Sequence, residues 1–412
     1  MPHPRLRVPV SLVLAAGLLA GCAAPSESPS AAPSEAAASD GHGAVEGAAE
    51  VAEPQLHLVT VAPNGAVGSI DLLSEERRDI GSIGTPTNVV TDGRYAFATT
   101  EAGVEIVDSG MWTWDHVDHF HYYRGTPSVL GTVPGSGEAV IVTSNSSTTG
   151  SAGVFFPETG EAVLLDVEAL ARGEVRESFR LELAPHRGLV APLGDGGVVT
   201  VPDDSGRVTA VRHHSSDGAP GETAECLDAA GAITTRVGLV IGCTDGALLV
   251  TGEGGSPLFE RIPYPAGATA PAATSFANRE GRPTVAGLAG DAGVWLLDTR
   301  ERSWSLVPTA TRLVAASTAD DEAGHLVVLD TEGRLRVLDE TGAELALTEP
   351  VVAGAPLDAG SPRAAHLTVD AERAYVTSPT DGIVSEIAYA DGARVARTFE
   401  IPVGAFAVEV GR

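Results

Sequence analysis

Lysine is absent from this chain of 412 residues: its 26 basic side chains are all arginine, against 55 acidic ones. The formal charge at pH 7 is −29. Nucleic acids and anionic membrane surfaces attract proteins through basic patches, so this balance excludes both as charge-driven partners. It suits solubility in salt-rich surroundings and the attraction of cations. Aromatic residues make up 5% of the chain, which argues against a carbohydrate lectin. No Gly-x-Ser-x-Gly elbow, His-Glu-x-x-His helix or phosphate-cradling loop occurs, and the carboxylates sit chiefly at turns such as Asp203-Asp204-Ser205-Gly206. All-arginine usage with abundant Ala and Gly points to a GC-rich genome, by composition an actinobacterial one.

The chain also lacks an apolar run long enough to span a bilayer. Val8–Ala20 follows Arg5 and Arg7 and has the length of a secretory h-region. It ends in Leu18-Leu19-Ala20-Gly21-Cys22, and Leu-Ala-Gly-Cys resembles the bacterial lipobox. That resemblance implies a signal peptide over residues 1–21, cleavage before Cys22 and lipidation of its thiol. The protein is then extracytoplasmic and held to the membrane through the lipid alone. Residues 22–54, rich in Ala, Ser, Pro and Glu, have nothing to bury and are expected to form a disordered tether. His42 lies alone in it.

Cysteine is scarce too. Besides Cys22 there are Cys226 and Cys243, which are expected to form a structural disulfide in an exported domain. Closing that loop would stabilise by about 3 kcal/mol in the chain-entropy model. A two-cysteine metal site is the alternative, although no histidine neighbours either residue in sequence.

What is present from residue 55 to 412 is strand and turn. Short runs of Val, Leu, Ile and Thr alternate with Gly, Asp, Asn and Pro, and no long amphipathic helix interrupts them. Asp166–Glu174 has room for a turn or two of helix. The runs recur. Asn88–Thr100 followed by Gly103–Asp108 is echoed by His366–Thr377 and by Leu313–Ser317 leading into His325–Asp330. Repeats of about 40–45 residues built this way are the signature of an all-β β-propeller. Inner strands are expected near residues 87, 128, 187, 231, 272, 312 and 365. Residues 56–83 hold three strands without an inner one, which Ala405–Val410 at the C terminus can supply. The count is eight blades with a ring closed by the C-terminal strand; seven is the alternative if one insertion misleads.

The densest chemistry lies in Asp115-His116-Val117-Asp118-His119-Phe120-His121. Three of the eleven histidines sit within six residues, among two aspartates. Neutral imidazole is the commonest zinc ligand, and zinc usually takes four ligands at about 2.0–2.1 Å. If residues 119–123 are extended, His119 and His121 share a face, because strand side chains repeat every two residues. His116 then reaches the same ion from the preceding loop, and Asp118 or a histidine from another blade completes the set. Asp115 and Asp118 also suit the second ring nitrogens. A polar loop with ordinary hydrogen bonds is the competing reading. His186 and His366 stand where inner strands begin; His186 is open to ligand or structural roles, and His366 leans structural. His213 and His214 read as solvated, and His57 and His325 as packing or surface residues.

The run Trp112-Thr113-Trp114-Asp115-His116-Val117-Asp118-His119-Phe120-His121-Tyr122-Tyr123-Arg124 resembles the signature of the AztD-type periplasmic zinc metallochaperones. Pro185-His186 before an inner strand and the Cys pair ending in Gly242-Cys243-Thr244-Asp245-Gly246 follow the same pattern, and the resemblance covers most of residues 55–412. It implies a propeller, monomeric and not an enzyme, that binds Zn2+ and passes it to the solute-binding protein of a zinc ABC importer. His116, His119 and His121 would belong to the zinc site, with His186 and Asp118 as further candidates. The family's expected His-rich mobile segment is missing, since the linker offers only His42. An exported metal-dependent lyase or hydrolase and a propeller interaction scaffold are the alternative functions.

Overall fold

A computed structural model describes residues 43–115, 119–144, 151–253, 256–353 and 365–412. The segments expected to be a signal peptide and lipobox, and most of the expected tether, lie outside the described residues. The fold is all-β. Among the described residues, helix is confined to Val167–Ala171, capped by the Asp166 carboxylate on the Ala169 N–H, and to one 3-10 turn at Gly290–Ala292.

The sequence pattern explains the strands. Within each sheet the strand next to the inner one is buried on both faces, as in Ala152–Phe156, Leu239–Cys243 and Ala374–Ser378, because neighbouring sheets cover it from either side. The outermost strands are more exposed: Ser303–Pro308 buries only Trp304 and Val307, and Ser256–Pro263 only Pro257 and Ile262. A recurrent glycine sets the hairpins. Gly103, Gly246 and Gly293 each open a strand with positive φ, and a Cβ there would lie 2.1–2.2 Å from a carbonyl of the outermost strand. Each pairs with a proline that ends that strand: Pro134, Pro263 and Pro308. Proline is tolerated there because an edge position loses no ladder hydrogen bond.

Among the described residues there are seven four-stranded antiparallel sheets and two three-stranded ones. One three-stranded sheet gains its inner position from an isolated bridge, Ala277 to Ala286. Counted along the chain from Asn88, eight sheets follow one another, and the last is shared by the chain ends. Phe406–Val410 pairs with His57–Val61, Val59 facing Val408, as the sequence led us to expect. Apolar clusters join these sheets in order. Tyr95 and Phe97 of the first pack on Val154 and Phe156 of the second; Val327 and Leu329 of the sixth pack on Val369 and Val376 of the seventh. Leu58 and Ile70 of the eighth pack on Tyr375 and Val384 of the seventh, and Val59 and Val61 pack on Val89, Ala96 and Ala98, back at the first. Full burial of each such side chain contributes about 1.5–3 kcal/mol, so the contacts between sheets hold the fold together.

Two expectations change. The strand near residue 128 does not begin a new sheet: Ser128–Pro134 pairs with Gly103–Asp108 and completes the first one. A hairpin, Met111–Asp115 and Phe120–Arg124, is inserted between those partners and displaced the count; the next inner strand is Val140–Thr143. Within the stretch read as tether, Ala49–Val51 forms a strand on the free side of Phe120–Arg124. Composition carried no signal for it, because its ladder partner lies about seventy residues away.

The cysteines form the expected disulfide, Cys226–Cys243, with Cα atoms 5.2 Å apart and a sequence separation of 17. Both are buried, and the bond ties the end of the third sheet to the fourth.

Candidate metal centre

The inserted hairpin carries the aromatic-histidine run. Its root is fixed from below. Arg94 is buried, grips Asp108 through two hydrogen bonds of 3.0 and 2.7 Å, and lays its guanidinium 3.9 Å from the Trp112 ring centroid. Trp112 stacks on Tyr123 at 5.2 Å, and the two face each other across the ladder. A desolvated cation–π contact contributes about 2 kcal/mol, and removing one partner of a buried ion pair costs about 3–5 kcal/mol, so this root is rigid. Further out, Thr113 donates to the Gly411 carbonyl at 3.1 Å, and Asp115 pairs with Arg236 at 2.7 Å. Gly411 follows the inner strand of the eighth sheet and Arg236 that of the fourth. The hairpin is therefore tied to both, over the ends of inner strands.

Extended backbone at Phe120–Arg124 puts His119 and His121 on one side, as their spacing implies. Their Nε2 atoms are 3.0 Å apart, with ring centroids at 4.8 Å. The Nδ1 of His121 lies 2.7 Å from Oε1 of Glu50 on the strand Ala49–Val51. A carboxylate accepts, so Nδ1 of the neutral ring carries the proton and Nε2 turns its lone pair toward His119. Two nitrogens bound to one tetrahedral zinc at about 2.0–2.1 Å are about 3.3 Å apart. An opening of a few tenths of an ångström brings the pair to that spacing. His119 is exposed and His121 partly so, which gives an ion a route from solvent.

The other candidates fall out differently. His116 and Asp118 lie outside the described residues, and among the described residues no group of three potential ligands converges. Asp115 is engaged with Arg236, an exposed ion pair worth little in energy. His186 has both ring nitrogens in hydrogen bonds. Its Nδ1 donates to the Ala184 carbonyl at 2.7 Å, and its Nε2 accepts from the Thr200 hydroxyl at 2.9 Å. Its ring packs edge-on against Phe155 at 4.6 Å, and burial lowers its pKa. Neither nitrogen is left for a metal. His366 lines a cavity of about 300 Å3 with Asn88, Thr99, Glu138 and Thr377. His214 is buried rather than solvated, its Nδ1 on the Gly218 carbonyl at 2.9 Å, because the strand Val208–His214 runs further than its polar end suggested. Sequence reasoning missed Glu50 altogether; one glutamate in an Ala/Glu-rich stretch gives no hint of a partner.

Antiparallel sheets packed in sequence order, with the last shared by both chain ends, define a propeller-like class. Within it the chain is similar to the zinc chaperone AztD of Citrobacter koseri, at 25% identity over 359 residues, covering 82% of this chain and 81% of that protein. The resemblance read from the aromatic-histidine run is thereby borne out. A crystal structure of Citrobacter koseri AztD matches with a TM-score of 0.74 at 20% identity, covering 87% of this chain and 98% of that one. The structure of apo AztD from the same organism matches with a TM-score of 0.72 at 21% identity, covering 87% and 99%. No protein-family model matches the chain.

Proposed function

We propose that this protein is an extracytoplasmic zinc chaperone, an eight-bladed propeller that binds Zn2+ at the inserted hairpin and hands it to the solute-binding protein of a zinc ABC importer. The observation that carries the reading is the meeting of the His119 and His121 Nε2 atoms 3.0 Å apart, with a carboxylate on the far nitrogen of His121. The similarity to AztD supports the same assignment. His116 and Asp118 are the proposed remaining ligands. Residues 1–21 act as the signal peptide, Cys22 as the lipid anchor and the segment after it as the tether; the chain works as a monomer and not as an enzyme.

Such a site suits transfer by ligand exchange. A partner's imidazoles replace these one at a time, starting at exposed His119, so the ion is never released to water. Binding requires neutral rings and therefore weakens as pH falls. A site rich in imidazole also takes copper tightly in vitro, by the ordinary order of divalent affinities. The test is native mass spectrometry of the protein with zinc, beside His119→Ala/His121→Ala. Loss of one tightly bound ion is expected. An unchanged stoichiometry would remove the basis of the assignment.

A further inference from the structure

The N-terminal strand Ala49–Val51 is too short to matter to the core, yet it is placed with care. It pairs with Phe120–Arg124 in the register Ala49 to Arg124, Glu50 to Tyr123 and Val51 to Tyr122. In that register Glu50 stands on the face that carries His121 and Tyr123, whose rings stack at 6.4 Å. A shift by one residue would turn Glu50 to the opposite face. The approach to the strand is fixed as well. The Gly43 carbonyl accepts from Trp112 Nε1 at 3.1 Å. Gly43 has φ +72°, and a Cβ there would lie 2.6 Å from the Trp114 ring, so the chain lies flat on the hairpin only because this residue is glycine. The same aromatics that root the hairpin therefore position the segment that brings in Glu50.

We propose that Glu50 is the positioning residue of the histidine pair, which makes the N-terminal strand a working part of the zinc site. The proposal rests on the reading of His119 and His121 as zinc ligands. The carboxylate holds His121 in the tautomer with Nδ1 protonated, stops the ring from turning about χ2, and strengthens Nε2 as a donor to the metal. It does so from a strand joined to the N-terminal segment. Displacing that strand would loosen His121 without disturbing the ring of sheets, so a partner that takes the place of Ala49–Val51 along Phe120–Arg124 would weaken the hold on zinc as it docks.

The test compares Glu50→Ala, Glu50→Gln and His121→Ala in the full chain. Zinc affinity is read by competition with a chromophoric chelator, cobalt(II) is used as a spectroscopic substitute, and the metal-free melting temperature is recorded. Loss of an outer partner of a ligating histidine typically costs about 10- to 100-fold in affinity, and that is expected for Glu50→Ala. Glu50→Gln should recover most of it, because its amide oxygen still accepts from Nδ1–H. The metal-free melting temperature should stay near that of the parent, and the cobalt bands should keep the intensity of the parent's coordination number. Affinity within twofold of the parent in Glu50→Ala would overturn the proposal. So would a changed coordination number, which would make Glu50 a ligand, or a fall in metal-free stability that accounts for the loss. If His121→Ala binds zinc as the parent does, the zinc-site reading fails and the role of Glu50 falls with it.

Discussion

Two histidines, His121 on the hairpin and His186 in the ring of sheets, have nearly the same first contact and opposite fates. Each places Nδ1 on an oxygen at 2.7 Å, which sets its tautomer. In His186 the other nitrogen meets the Thr200 hydroxyl inside a packed interface beside Phe155. In His121 it meets a second imidazole at the edge of solvent. A hydroxyl completes the hydrogen bonding and closes the site; a second imidazole brings together two nitrogens that share a taste for the same ion. On the proposed assignment, a ligand is distinguished by what faces its second nitrogen and not by the residues beside it in sequence.

The comparison divides the molecule into a ring that supplies stability and a hairpin that supplies chemistry, and it can be broken from the ring side. The largest effect should come from Cys226→Ala/Cys243→Ala. Opening that 17-residue separation should cost about 3 kcal/mol in denaturant unfolding and leave zinc stoichiometry unchanged. A loss of zinc in this variant would mean that stability and binding are not separable. Next, His186→Ala takes the ring from the Ala184 carbonyl, while the Thr200 hydroxyl keeps Leu189, and should cost about 1–3 kcal/mol, again with zinc retained. Weaker zinc binding here, with unfolding unaffected, would restore His186 as a ligand.

The smallest and most specific effect is on pH dependence. Burial pushes the Glu409 carboxyl up to about 8, against the lowering pull of Arg412 and with help from the carboxylates of Asp370 and Glu280. Its folded pKa lies above its ordinary value of 4.5, so the folded state holds a proton that the unfolded chain releases. This contribution to stability is full below the ordinary value and is lost as pH rises through about 8. The slope it adds is at most about 1.4 kcal/mol per pH unit. Glu409→Gln should flatten the decline in melting temperature between mildly acidic and mildly alkaline pH. Asp92, raised to about 7 by burial, keeps part of the trend. An identical slope in parent and variant would show that the buried carboxyl is not the cause.

Much of the ring was legible beforehand because its signals are local. Apolar runs and Gly-opened hairpins fix strand and turn within a few residues of each other, and the C-terminal run Ala405–Val410 was legible as the strand missing from residues 56–83. The misplaced strand near 128 shows the boundary of that reading. Ser128–Pro134 has the look of an inner strand, but the hairpin ahead of it hides that its partner is Gly103–Asp108, twenty residues back. The pairing of His119 with His121 was also legible, since a period of two needs only an extended backbone.

Residue types and their spacing by themselves determined a strand-built chain and a histidine pair on one face. These follow from nearest-neighbour sterics and from polarity repeating every second residue. Only the tertiary structure decided that His186 is satisfied and that Glu50 is not linker. Each depends on a contact whose strength is set by distance and solvent exclusion, from Thr200 fourteen residues away and from His121 seventy-one away. Separation along the chain carries no record of either.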